Sequence, residues 1–299
     1  MNYVIGIDIG GTKINAALID ENGEIIQKEK IETEADKGKD VVLSNIEKVL
    51  HKLPLDKSIA IGVGTPGFID SKNGIVTFAG NIEGWTGLNL KKEIEKFVDI
   101  PVFVENDANT ALLCEKWVGA GKGYNNIVMI TLGTGLGGAV YTDKMGLLEG
   151  SHFQGAELGH IIMYPNGRSC TCGQNGCAES YCSGSAIRRH YFELTGNNLN
   201  GDEIFKRVDV DSKAKEVLEA YEFNLANYLA SIRNIFDPEV IIIGGGVINS
   251  KSIWWDGMIK NYKQICNKPN DVDIVPAKYL NDSGVIGAGR KAFDRSKDE

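Results

Sequence analysis

Along the chain, short β-branched apolar runs alternate with apolar residues at helical spacing, the pattern of an α/β protein. Tyr3 to Ile9 is apolar, breaks at Gly10-Gly11-Thr12-Lys13 and resumes from Ile14 to Ile19, which predicts strand, tight turn, strand. Asn22-Gly23 is a hairpin signal, with a third strand over Ile25 to Ile31. Val42, Ile46, Val49 and Leu53 mark a helix, and Ile59 to Val63 a buried strand ending in Gly64-Thr65-Pro66-Gly67. Val102 to Val104 predicts a strand, followed by a helix over Ala108 to Trp117. Val217, Leu218, Tyr221, Leu225, Leu229, Ile232 and Phe236 predict a long amphipathic helix, which Asp237-Pro238 ends. Val240 to Ile243 is another buried strand, running into Gly244-Gly245-Gly246, and a helix follows Asn249-Ser250. A last helix covers Gly284 to Phe293, and the charged tail Asp294 to Glu299 is expected to fray.

The pattern repeats. Laying Gly133 over Gly10, a shift of 123 residues, also brings Ile130 onto Ile7, Ala139 onto Ala16, Asp143 onto Asp20 and Gly146 onto Gly23. The chain has 36 glycines, so a few chance matches are expected; the shared turn, hairpin glycine and apolar pattern favour duplication instead. The expectation is two similar α/β lobes, residues 1–117 and 118–283, each with a glycine turn facing a shared cleft. Residues 284–299 are expected to pack back on the first lobe.

Its 299 residues suit two domains at roughly 150 each. The 40 acidic residues outnumber 32 basic ones, so the chain offers no net basic face for nucleic acid or an anionic membrane. A local basic pocket for a phosphorylated small molecule remains compatible with that balance. No run approaches the ~20 apolar residues of a membrane helix, and Met1-Asn2-Tyr3-Val4 lacks the basic start of an export signal. Six cysteines are too few for a disulfide scaffold, so a cytoplasmic protein is expected.

Three glycine turns follow apolar strands: Gly10-Gly11-Thr12-Lys13, the segment Gly133-Thr134-Gly135-Leu136-Gly137-Gly138, and Gly244-Gly245-Gly246. Glycine lets backbone N–H groups approach a phosphate closely, and three such turns point to a nucleotide. The Gly-x4-Gly-Lys-Ser/Thr string of a P-loop does not occur. A dinucleotide fingerprint fits Gly133 to Gly138 in spacing, but it must open a helix, and Ala139 to Thr142 reads as a strand. Asp8, ending the first strand, suits either hydrated Mg²⁺ or the capping of a turn. Glu105-Asn106-Asp107 lies between strand and helix; Asp107 suits a proton acceptor for phosphoryl transfer, and Asn106 or Asp107 equally suits an N-cap.

From Glu157 to Glu179 the chain is polar and glycine-rich, yet holds His160, Cys170, Cys172 and Cys177, a donor set for tetrahedral structural Zn²⁺. A metal would supply the folding energy that this segment's apolar content does not. Glu157 and Glu179 flank it and could accept hydrogen bonds from a polyhydroxylated ligand. Asn81-Ile82-Glu83-Gly84-Trp85 adds an amide and an aromatic, either a sugar-binding pair or partial core. Cys114, Cys182 and Cys266 are isolated and read as core.

Together these residues resemble the ROK family of bacterial sugar kinases and repressors, over essentially the whole chain. The resemblance implies an actin/hexokinase-like, ribonuclease H-like fold: two duplicated lobes, a central cleft and a small zinc-binding insertion at 157–179. It implies that Asp8 and Gly10, Gly11, Thr12 and Lys13 form a first phosphate loop, with Gly133, Thr134 and Gly135 in a second. Gly244 and Gly245 would face the adenosine of ATP. Asn106 would bind a sugar hydroxyl, Asp107 would be the general base, and Glu157, His160 and Glu179 would contact the sugar. Family repressors carry a helix-turn-helix domain before the first loop, which here begins at residue 8, so the enzyme reading is favoured.

The implied activity is ATP- and Mg²⁺-dependent phosphorylation of a hexose at the 6-hydroxyl, by a homodimer. Asn81 to Trp85 most resembles glucokinase-like members, which favours glucose; N-acetylmannosamine, N-acetylglucosamine or a β-glucoside are alternatives, as is a non-catalytic sugar-sensing module. One departure stands out: members usually read Ala-Gly-Glu where this chain has Gly155-Ala156-Glu157, adding a methyl group beside the sugar pocket.

Overall fold

A computed structural model describes residues 2–269 and 272–296. Its elements fall into two compact units, one of Met1–Gly123, Leu147–Gly155 and Lys278–Glu299, the other of Tyr124–Gly146 and Ala156–Ala277. The expected boundary at 117/118 thus becomes several crossings, because the chain returns twice to the first unit. Of the charged tail, residues 297–299 lie outside the described residues.

The first unit runs β1 (Tyr3–Ile9), β2 (Lys13–Asp20), β3 (Ile25–Glu32), α1 (Lys39–Leu50), β4 (Ser58–Thr65), a hairpin of β5 (Phe68–Asp70) and β6 (Ile75–Phe78), α2 (Leu90–Ile94), β7 (Val102–Asn106) and α3 (Asp107–Val118). Its main sheet has the order β3-β2-β1-β4-β7, antiparallel from β3 to β1 and parallel from β1 to β7. The second unit repeats that order as β10-β9-β8-β11-β12, from β8 (Asn126–Leu132), β9 (Leu136–Thr142), β10 (Gly146–Leu147), β11 (Val240–Gly244) and β12 (Asp273–Pro276). Between β10 and β11 come α4 (Glu179–Cys182), α5 (Gly184–Thr195), α6 (Gly201–Phe205) and the 25-residue α7 (Ser212–Phe236); α8 (Lys251–Ile265) precedes β12. The last helix, α9 (Ser283–Arg295), belongs to the first unit.

The duplication is present, with one correction to its alignment. The 123-residue shift carries β1 onto β8, but the first hairpin closes Ile9 on Ile14 and the second closes Leu132 on Leu136. The second glycine turn is therefore one residue shorter. Beyond it the counterpart of Ala16, which faces Ile7, is Gly138, which faces Ile130; Ala139 faces Met129. After the second Gly-rich turn comes a strand, as expected, so the dinucleotide fingerprint is a coincidence of spacing.

The sheet of the first unit is covered on both faces. Ile5, Ile7 and Ile9 alternate toward a core with Val42, Ile46, Val49 and Leu50 of α1 and with Trp85. Val4, Ala17, Ile19 and Ala60 point the other way, against Val285, Ile286, Ala292 and Phe293 of α9. On that face Gly6 and Gly62 bring α9 unusually close: a Cβ on either would lie 1.9 or 1.8 Å from the Val285 or Ala288 carbonyl oxygen. Among the described residues no helix is long and apolar enough to cross a membrane.

Candidate functional site

In the first unit, chemistry collects at the strand ends. Asp8, near the end of β1, accepts a hydrogen bond from Asn15 Nδ2 at 3.5 Å across the hairpin. A side chain at residue 284 would reach within 2.5 Å of its Cγ, so Gly284, at the start of α9, is what makes room for the carboxylate. Burial, and then the negative charge of Asp107, raise Asp8 to about 6, against the opposing Asn15 bond and Lys28 charge. Beside it Thr33 Oγ1 donates to Gly10 O at 2.7 Å and fixes the glycine turn. Nothing stands above Gly11, and Thr12 and Lys13 are exposed.

Lys13, Lys28 and Lys30 collect near this turn, and the charge of Lys13 lowers the Lys30 pKa most. A chain of net charge −8 thus has a local basic face at one glycine turn. Sequence reading missed Lys28 and Lys30; their signal was the period of two along β3, which puts both on one face, with Lys30 opposite Asn15.

Asn106 and Asp107 meet where β7 becomes α3. Asn106 takes the N-cap, its Oδ1 accepting the Ala108 and Asn109 N–H groups at 2.8 and 3.2 Å, while its Nδ2 donates to Gly67 O at 2.9 Å. Such a cap is worth about 1 kcal/mol. Capping therefore falls to Asn106, and the neighbouring Asp107 is solvent-exposed, with Oδ1 accepting from Ala108 N at 2.9 Å. Desolvation by the surrounding protein raises the Asp107 carboxyl above the usual aspartate value, and the Ala108 bond opposes it.

In the second unit the two remaining glycine turns are neighbours. A Cβ on Gly245, which has φ of 84°, would lie 2.5 Å from Leu132 N and O, so this turn lies against the end of β8. Gly133 O accepts from Gly184 N at 2.8 Å, and Thr134 O from Ser185 N, which anchors the Gly133–Gly135 turn on the start of α5. Open space lies above Gly133 and Gly246. Glu179 joins this turn from another side: its Oε2 accepts Leu136 N at 2.9 Å, and its Oε1 lies 3.6 Å from Cys170 Sγ.

His160, Cys170, Cys172 and Cys177 come together, their donor atoms all within 4.8 Å of one another. Zinc–sulfur bonds of about 2.3 Å imply tetrahedron edges of about 3.8 Å between sulfurs and about 3.6 Å from sulfur to nitrogen. Here Cys172 and Cys177 sulfurs are 3.7 Å apart and Cys170 Sγ lies 3.6 Å from His160 Nδ1. The donor set therefore fits zinc. Burial, reinforced by neighbouring thiols, pushes Cys177 up to about 12, so a cation is what would let these thiols ionise together. The ring of His160 divides its nitrogens, with Nδ1 toward Cys170 and Nε2 4.0 Å from Glu157 Oε2. Gly138 and Gly159 let this turn lie on β9, since a Cβ on Gly159 would meet Leu136 O at 2.0 Å.

Two residues of the Asn81–Trp85 segment part company. Asn81 is exposed, but Trp85 is fully buried, its indole N–H donating to Thr65 Oγ1 at 3.1 Å, so it is core and offers no face to a sugar. Cys114, Cys182 and Cys266 are buried, as core cysteines should be. Ala156 is buried with φ of 61°, a left-handed conformation that glycine adopts without strain.

A family model described as the ROK family matches residues 4–292. A glucokinase from Thermotoga maritima is 36% identical over 304 residues, covering 95% of each chain. A β-glucoside kinase from Listeria monocytogenes is 30% identical over 289 residues, again 95% of each. Among solved structures, a ROK family glucokinase from Streptomyces griseus, in complex with glucose and AMPPNP, superposes with a TM-score of 0.83 at 32% identity, covering 98% of this chain and 100% of that one.

Proposed function

The chain belongs to the ROK family, and from that premise we propose that it is an ATP-dependent hexose kinase that phosphorylates glucose at the 6-hydroxyl. The glucokinase relative and the solved glucokinase with glucose and AMPPNP support this reading. The observation that carries it is Asp107: an exposed carboxylate with a raised pKa, on a helix turn whose capping is handled by its neighbour. A raised pKa makes a stronger base near neutral pH.

Asp107 takes the hydroxyl proton as the sugar oxygen bonds to the γ-phosphorus and the bond to the departing ADP oxygen breaks. Gly11, Thr12 and Lys13, with Thr134 and Gly135, supply N–H groups and charge for phosphate oxygens, while the Gly10 and Gly133 N–H groups close those turns by donating to Lys13 O and Gly135 O; Gly244 and Gly245 supply a flat backbone for adenosine. Asp8 is the oxygen donor suited to Mg²⁺ through water, and that ion would neutralise phosphate charge. Asn106 Nδ2 has a second hydrogen beyond the one given to Gly67 O, which suits a sugar hydroxyl. Asn81, Glu157, His160 and Glu179 are the other sugar contacts of this reading. Zinc is structural, held by His160, Cys170, Cys172 and Cys177. A cytoplasmic homodimer completes the proposal, from family resemblance.

A second reading, a β-glucoside kinase, has two observations in its favour. Ala156, in a left-handed turn beside Glu157, departs from the family pattern, and the β-glucoside kinase is also a relative. The test measures ADP release with ATP and Mg²⁺ on glucose, N-acetylmannosamine, N-acetylglucosamine and cellobiose at equal concentrations. Glucose should give by far the highest kcat/KM; another preferred sugar keeps the kinase and moves the specificity. Asp107→Asn should lower kcat by about 100- to 10,000-fold with Tm preserved. Near-normal kcat in that variant overturns the base assignment, and no turnover on any sugar favours a sugar-sensing module.

A further inference from the structure

We propose that Lys291 is a positioning residue for Asp107, acting through Glu105; the inference rests on the kinase reading above. Lys291 and Glu105 have side chains only 7% and 1% exposed, and Lys291 Nζ lies 2.5 Å from Glu105 Oε2. The other oxygen, Oε1, accepts the backbone N–H of Asn106 at 3.0 Å and Asn109 Nδ2 at 2.9 Å. Asn106 in turn caps the first turn of α3, whose Ala108 N–H also reaches Asp107 Oδ1. A continuous set of hydrogen bonds therefore runs from the α9 ammonium to the carboxylate assigned as the base.

Backbone packing reinforces the same contact. One turn before Lys291, Gly287 lies against α3: a Cβ there would sit 1.6 Å from Thr110 O, and Thr110 Oγ1 donates to Asp107 O at 2.8 Å. Lys291 Nζ also lies 3.8 Å from Glu149 Oε1, which accepts Ser71 Oγ at 2.6 Å. The ammonium thus holds the β7–α3 junction and the Leu147–Gly155 segment of the same unit. Burying a charge pair is costly, and apolar residues of equal volume commonly stabilise a fold as well or better. What this pair supplies that an apolar pair lacks is direction: it fixes which way Glu105 Oε1 points, and hence where Asn106 and Asp107 stand.

The test compares wild type, Asp107→Asn, Lys291→Met, Lys291→Arg and the double variant Glu105→Gln/Lys291→Met, the last removing both buried charges so that the fold survives. For each variant kcat, KM for glucose and ATP, Tm, and amide hydrogen exchange of residues 106–110 are measured, with kinetics well below every Tm. The expected result is a kcat loss of about 10- to 100-fold in Lys291→Met and in the double variant, as misplacing a reacting group by about 1 Å does. KM should hold within about threefold, exchange at Ala108 to Thr110 should quicken, and Lys291→Arg should recover part of kcat. A double variant with wild-type kcat and unchanged exchange overturns the proposal, as does a loss confined to KM. An inactive wild type fails the kinase reading instead, and an active Asp107→Asn fails the base assignment and with it the positioning role; the exchange of residues 106–110 then still decides whether Lys291 orders that turn.

Discussion

Gly6 and Gly62 pair across β1 and β4, whereas Met129 and Ile242 pair at the same positions of β8 and β11. The two sheets share their strand order, yet the first leaves two bare backbone positions where the second carries side chains. Those bare positions admit α9 to backbone contact with the first sheet, and α9 then lies against α3 through Gly287. Strand ends differ in the same sense. Asp8 has Thr131 as its counterpart, and β7 runs into Asn106 and Asp107 where β12 ends in Pro276. The two units share one topology, and the one whose sheet α9 touches through Gly6 and Gly62 carries Asp8 and Asp107 at its strand ends. The second unit instead carries two glycine turns and a metal-type cluster in its long crossing from β10 to β11. A base that must be held to a fraction of an ångström belongs where backbone touches backbone.

The comparison breaks first at Gly62. Gly62→Val should cost about 3 kcal/mol or more, because the new Cβ meets the backbone carbonyl of Ala288, which cannot rotate aside. Its counterpart Ile242→Val only trims a methylene, at about 0.5–1.5 kcal/mol. Urea denaturation of both variants checks the contrast, and equal losses would refute the close approach of α9. The next effect belongs to the other unit. Stripping zinc with a chelator should lower the stability of the second unit by about 2.7 kcal/mol relative to protein with free zinc at 100 times Kd. Calorimetry should show that loss, with protons released when zinc returns, because Cys177 starts protonated.

Much of this was legible in the sequence for physical reasons. Continuous β-branched apolar runs and the repeated glycine turn revealed the duplicated sheets, since strands buried on both faces are apolar at nearly every position. The His–Cys cluster was legible because its segment had too few apolar residues to fold alone. Trp85 was ambiguous because an indole serves core and sugar alike, and only its burial against Thr65 decides. The one-residue slip between Ala16 and Gly138 was hidden because an ungapped match cannot see a shortened turn. Lys291 was invisible: its partner Glu105 is 186 residues away, and a buried lysine reads from sequence as one more surface charge.

The third effect distinguishes function from stability within the first unit. The Asp8 pKa rises from 3.8 to about 6 on folding, so ionising it in the folded state is unfavourable. Its contribution is absent below about pH 4, grows destabilising between the unfolded and folded values, and is complete above about 6. Asp8→Asn should therefore stabilise the metal-free protein by about 1–2 kcal/mol at pH 7.5 and by almost nothing at pH 4, while lowering kinase turnover. Thermal melts at the two pH values check it. Equal melting shifts would mean that Asp8 is not the strained carboxylate. Thr131 has no carboxylate, so Thr131→Val in the second unit should show no such pH dependence.

The smallest effect concerns Ala156 in the second unit. Ala156 holds φ at 61° while its carbonyl accepts Leu158 N and lies near Gly138, so the turn cannot relax to an extended form without losing its place on β9. A left-handed alanine costs about 1–2 kcal/mol, and glycine avoids that strain but loses about 0.5–1 kcal/mol of unfolded-state advantage. The difference leaves Ala156→Gly more stable by about 0.5–1 kcal/mol, against the usual penalty for adding a glycine. If denaturation shows the variant to be less stable, the buried methyl is contributing packing that outweighs the strain. In that case the alanine is a fitted part of the pocket wall beside Glu157, and the sugar panel repeated on the variant should shift in preference. A stabilised variant with an unchanged sugar profile instead makes the methyl a tolerated drift, carried by a turn that the metal-type cluster and β9 already hold.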